Sequence, residues 1–133
     1  MIIDAYERAA SVGGEEAIRQ LYMVGHSQHT DPFGHVILDC GADFCFIHAQ
    51  MYKKDVSAVK EIKEDILSLI DEVLIKEFDY AMISSYTPNK RFLDFVVKGT
   101  GWKVQEFDVP GHPEITLCMV NLKDKDATCQ PIS

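Results

Sequence analysis

Between residues 55 and 78 apolar side chains return every three or four positions, at Val56, Val59, Ile62, Ile66, Leu69, Ile70, Val73 and Leu74, with charges in the gaps. That is the period of a helix buried along one face, so the segment predicts a long amphipathic helix. Upstream the pattern changes. Residues 35–39 and 44–51 are rich in β-branched and aromatic side chains, and Gly41-Ala42-Asp43 between them has turn chemistry, which predicts a hairpin. In its second strand Phe44, Phe46 and His48 alternate with Cys45, Ile47 and Ala49. Both faces are largely apolar, so that strand is expected to be central and covered on both sides.

After the long helix, residues 80–86 predict a short apolar strand around Ala81-Met82-Ile83-Ser84-Ser85. Thr87-Pro88-Asn89 then opens a short helix over 90–97, which Gly99-Thr100-Gly101 ends. Residues 102–109 and 115–122 predict two more strands joined through Pro110-Gly111-His112-Pro113, and the tail from 123 reads as polar and loose. Near the start, Ala5, Tyr6, Ala9 and Ala10, then Ala17, Ile18, Leu21 and Tyr22, stand at helical spacing within 4–29, so two short helices interrupted at Gly13-Gly14 are predicted. A polar loop over 26–34, with a turn at Asp31-Pro32, follows. The sum is an α+β fold, a mixed central sheet with helices on both faces; one parallel crossover accompanies two antiparallel hairpins.

Length and charge narrow this further. A chain of 133 residues fits one domain, 1–133, and 47% hydrophobic with 26% charged residues is a globular composition. Asp and Glu number 21 against 13 Lys and Arg, a formal charge of −8. Such a chain lacks the clustered cations that binding to a phosphate backbone requires, so no nucleic-acid partner is expected. The same balance disfavours an anionic membrane surface, and no apolar run approaches the length of a membrane span. Met1-Ile2-Ile3-Asp4 has none of the features of a signal peptide, so a cytoplasmic protein is expected. Cys40, Cys45, Cys118 and Cys129 are accordingly read as thiols, and with no second Cys pair to answer Cys40 and Cys45 a zinc ribbon is not expected. His26, His29 and His35 also lack a partner pair at ligand spacing, and no metal site is assigned to them.

The order of elements over 35–122 resembles the GCN5-related N-acetyltransferase (GNAT) superfamily, in which a central strand precedes a long helix, a strand, a short helix and a final hairpin. Arg91-Phe92-Leu93 followed by Gly101-Trp102 is similar to the family's short-helix stretch, and residues 1–34 would occupy its variable helical N-terminal part. Within the family the chain resembles the short acetyltransferase-like proteins of tailed bacteriophages, including internal virion or head-assembly proteins of podophages.

The resemblance implies where a donor and a reaction centre would lie. Acetyl-CoA would run along the central strand at Ile47, Ala49 and Gln50, with Lys53, Lys54 and Asn89 beside it. The family's phosphate loop, however, carries glycines, and in Gln50-Met51-Tyr52-Lys53-Lys54-Asp55 only Gln50 fits, with Asp55 or Ser57 as a helix cap. Tyr86 replaces the family's strand-end Asn, and Leu93 stands where the family places a tyrosine acid. Tyr86 is therefore the candidate acid, and His48, whose ordinary pKa suits proton transfer near neutrality, the candidate base. Cys45 and Cys118 on apolar strands read as small core residues, and Arg91 as a surface partner of Asp94. With several motif positions lost, the expectation is a degenerate GNAT-fold protein acting in virion assembly with a phage structural protein as partner, needing no cofactor. The alternative is an acetyl-CoA-dependent N-acetyltransferase.

Overall fold

The computed structural model describes residues 3–12, 15–25, 31–88 and 90–125. They form β1 (Ile3–Val12), β2 (Glu15–Val24), β3 (Gly34–Cys40), β4 (Cys45–Met51), α1 (Val56–Leu69) continued by a π-helical stretch (Ile70–Glu77), β5 (Met82–Thr87), α2 (Lys90–Val97), β6 (Trp102–Val109) and β7 (His112–Lys125). Among the described residues the strands make one seven-stranded sheet in the order β1-β2-β3-β4-β5-β7-β6. Every pairing is antiparallel except β4 with β5.

The largest departure from expectation is the N-terminal part. The segments expected to be two helices are strands, paired from Ile3 opposite Met23 to Val12 opposite Glu15. Period two is what β2 uses: Tyr22 and Val24 are buried, and they stand opposite Val36 and Gly34 of β3, while Met23 between them points the other way. Burying that alternate set against the sheet core outweighs a weak helical spacing built mostly on alanines. The expected second helical layer is thereby replaced. Among the described residues both helices cover the same face, where Val36, Leu38, Ile47, Ile83 and Val120 meet Ile62, Ile66, Ile70 and Leu74 of the long helix and Val96 of α2.

Close approach dictates residue type at the start of β3. A Cβ on Gly34 would lie 2.4 Å from the carbonyl oxygen of Gln50, so only glycine lets β3 begin beside the end of β4. Gly25, at φ +69°, turns the chain out of β2 and donates its N–H to Asp65 on α1 at 2.7 Å, which ties the N-terminal hairpin to the helix. At the far end β7 starts at His112 and runs to Lys125, so it is longer at both ends than expected and residues 123–125 are strand rather than loose tail.

Candidate functional site

Two adjacent parallel strands that barely pair are the centre of interest. β4 and β5 meet at Phe46 opposite Ser84 and diverge beyond it. The divergence opens a cleft of about 180 Å³ with Ile47, His48, Ala49 and Met51 on one side and Ser85, Tyr86, Thr87 and Pro88 on the other. Its floor is apolar, closed by Ile66, Ile70, Phe92, Leu93, Val96 and Trp102. α1 and α2 create this floor because their inward residues recur at helical spacing and pack on the same sheet face.

On the opposite sheet face the cleft's mouth carries aromatic and charged groups. Phe46 and His48 stand two residues apart on β4, so their side chains share a face, with ring planes at 8° and centroids 6.5 Å apart. Tyr86, two residues past Ser84, lies nearly parallel to Phe46 at 5.6 Å and remains 45% exposed. Beside them sits Asp39, only 1% exposed. Arg19 on β2, directly opposite Asp39 in the register, donates from Nε at 2.6 Å and Nη2 at 2.9 Å to the two carboxylate oxygens. This fork-on-carboxylate geometry answers the cost of burying the acid. His48 Nε2 is 3.5 Å from Asp39 Oδ2.

Burial holds the His48 pKa below its ordinary value, and the Arg19 charge acts in the same direction while Asp39 opposes both. The ring is therefore neutral near pH 7. With a proton on Nε2 toward Asp39, Nδ1 is left with a free lone pair. A neutral imidazole held by a carboxylate at the mouth of an apolar cleft can accept a proton from a bound nucleophile.

The structure brings together four of the residues picked out from sequence: Ile47, His48, Ala49 and Tyr86 all line the cleft. Gln50, Lys53 and Lys54 do not line it. Gln50 stands opposite His35 on β3, and the Lys53 ammonium lies over the Phe33 ring at 4.9 Å. Asn89 lies outside the described residues, as do His26 and His29. Asp55 occupies the position before α1 without making a side-chain cap hydrogen bond. Asp94 pairs with Lys90 at 3.5 Å rather than with Arg91, and Lys90 also reaches Glu106 at 2.9 Å. Among the described residues no group of three or more His, Cys, Asp or Glu is placed to hold a metal ion, and no helix is long and apolar enough to cross a membrane.

Sequence reasoning missed Arg19 and Asp39. A single acid inside the apolar run Val36-Ile37-Leu38-Asp39-Cys40 was the available signal. Its partner could be found only by reading 15–24 as a strand.

Comparison with solved structures shows what this arrangement is similar to. A structure titled as an acetyltransferase of Sphaerobacter thermophilus aligns with 77% of this chain and 67% of its own, at TM-score 0.54 and 13% identity. The AHL synthase LasI aligns over 91% of this chain and 76% of its own, at TM-score 0.60 and 9% identity. The protein thus has the mixed-sheet α+β fold of GNAT-type acetyltransferases, and identities this low show the fold alone. Neither neighbour is titled as a virion protein, so the phage part of the resemblance draws nothing from them. No protein-family model matches the chain, and no curated protein matches its sequence.

Acetyl-CoA, which the fold family implies, fits the site in part. The diverging β4 edge and apolar floor suit a thioester arm, with Ile47 and Ala49 alongside. The diphosphate does not fit. The backbone N–H groups of Tyr52 and Lys53, which would have to face it, both donate to the Phe33 carbonyl, at 2.6 and 3.1 Å, and the turn holds no glycine.

Proposed function

We infer that the protein binds the arm of an acyl thioester in the β4–β5 cleft and passes the acyl group to an amine deprotonated by His48. The observation that carries this reading is the cleft itself, opened by strands that meet only at Phe46 and Ser84, with His48 and Tyr86 at its mouth. A bound thioester supplies the electrophilic carbonyl. His48 Nδ1 accepts the proton of the attacking amine, Asp39 holds the ring through Nε2, and Tyr86 is the hydroxyl available to protonate the departing thiolate.

Its test is acyl transfer from acetyl-CoA to a panel of primary amines, with His48→Gln beside the wild type. A base at this position is worth about 10² to 10⁴ in rate, so kcat should fall by that factor while the donor KM changes little. Equal turnover by the variant would remove His48 from the reaction.

One observation favours a second reading, a binding or assembly protein on the same fold without turnover. The N–H groups of Tyr52 and Lys53 are already engaged by Phe33, which leaves the donor's charged end without the backbone contacts that would hold it. Failure to bind any thioester would favour that reading. A phage-encoded role in virion assembly would be its specific form.

A further inference from the structure

The mechanism leaves one cluster of reactive groups unused, at the tip of the β3–β4 hairpin. Cys40 and Cys45 are directly opposed in the ladder, on the same sheet face, with their Sγ atoms 3.5 Å apart. The Gly41 N–H donates to the Phe44 carbonyl at 2.9 Å and closes the turn. The next pair out, Cys40 with Cys45, is then a non-hydrogen-bonded pair, the kind whose side chains stand nearest each other. Tyr80 donates its hydroxyl proton to the Gly41 carbonyl at 2.5 Å, which pins the far side of the turn. The two thiols differ in access. Both are buried, Cys45 at 1% and Cys40 at 6% exposure, and Cys40 also lines a cleft of about 480 Å³ with Ala17, Ile18, Gly41, Ala42, Phe78 and Tyr80.

We propose that Cys40 and Cys45 are a reversible two-thiol oxidation site for hydrogen peroxide, Cys40 reacting first and Cys45 closing the disulfide. The Cys40 thiolate attacks one oxygen of the peroxide; the O–O bond breaks, an S–O bond forms, and hydroxide leaves with the proton Cys40 gave up, as water. The Cys45 sulfur then attacks the sulfenic sulfur as its proton passes to the leaving hydroxyl group, forming the S–S bond and breaking S–O. The hydroxyl group departs with the Cys45 proton as a second water. Two thiols are oxidised by two electrons and one peroxide is reduced to two waters. The sulfurs need close only from 3.5 Å to a bond of about 2.05 Å. The direction of attack agrees with the hydrogen bonding: the contact with Cys45 stabilises a Cys40 thiolate and pulls its pKa down against the opposing effect of burial, while the same contact and burial push Cys45 up. Cys118, also buried, has no thiol partner among the described residues and is the internal control.

The experiment is a hydrogen peroxide titration of the reduced full chain, read by mass spectrometry of tryptic peptides. Residues 20–53 contain no Lys or Arg before Lys53, so both thiols fall in one peptide. The expected result is loss of two hydrogens from that peptide, reversed by dithiothreitol, at a rate at least about tenfold above any change at Cys118. In Cys45→Ser, Cys40 should stop at a sulfenic acid that dimedone traps. Oxygen adducts on the 20–53 peptide without loss of hydrogens, or oxidation of Cys118 at the same rate, would overturn the proposal. So would dimedone trapping on Cys45 in a Cys40→Ser chain together with none on Cys40 in Cys45→Ser. Should either variant fail to fold, the wild-type peptide mass decides alone.

Discussion

Asp39 shows how one residue links stability to the candidate chemistry. Its carboxylate is buried, takes two hydrogen bonds from Arg19 and faces His48, so it ties β2, β3 and β4 together. Asp39→Asn keeps the shape but leaves the Arg19 guanidinium without its counter-charge. Because Arg19 retains 28% of its exposure and can turn toward water, the cost should be about 2 kcal/mol rather than the larger value of a fully buried pair, measured as a fall in the denaturant midpoint. The same substitution removes the charge that props up protonated His48, so the His48 pKa, followed by NMR, should drop further. A rise would mean that Asp39 does not act on that ring. A second consequence is a pH dependence. His35 and His48 both titrate below the ordinary value of 6.5 because burial disfavours their charged forms. The unfolded chain therefore binds protons near 6.5 that the folded chain still refuses, and the free energy of unfolding should decline as pH falls from 7 through that value, levelling off below the folded pKa values. Equilibrium denaturation across this range checks the sign, and a stability that rises on acidification would contradict it.

At the scale of elements, the pattern in sequence was legible wherever one period dominated. The long helix, the short helix at Lys90–Val97 and the strand Trp102–Val109 follow the expected bounds, because each has a clear apolar set and turn residues at its ends. β1 and β2 were not legible, since Ala5, Tyr6, Ala9 and Ala10 satisfy a helical spacing as well as many strands do. The Gly13-Gly14 dipeptide, taken as a helix break, is equally a signal for a hairpin between two runs. The candidate site was half legible for the same reason. His48 and Tyr86 belong to strands recognised from their own pattern, whereas the Arg19–Asp39 pair depends on a register between β2 and β3 that no local window contains. The start of β3 offers a test of how closely β3 approaches β4. Gly34→Ala would place a methyl carbon 2.4 Å from the Gln50 carbonyl, and backbone on both sides must move, so a loss of about 1 to 3 kcal/mol is expected in thermal or chemical unfolding. Unchanged stability would mean that β3 and β4 approach less closely than described.

For the molecule as a whole, the arrangement is a wide sheet with its helical layer on one face and its candidate chemistry reached from the other, through the place where β4 and β5 part. Trp102, the chain's single tryptophan, lines that cleft and reports on anything that enters it. The central claim is that the cleft recognises the thioester arm and that the turn after β4 contributes no diphosphate cradle. The most direct measurement is therefore a titration of Trp102 fluorescence, confirmed by calorimetry, with acetyl-CoA and with acetyl-pantetheine, which lacks the diphosphate and nucleotide. The account predicts that both bind, with dissociation constants within about threefold of each other, a difference under roughly 1 kcal/mol. Acetyl-CoA binding more than about tenfold tighter, or no binding of either compound, would contradict it.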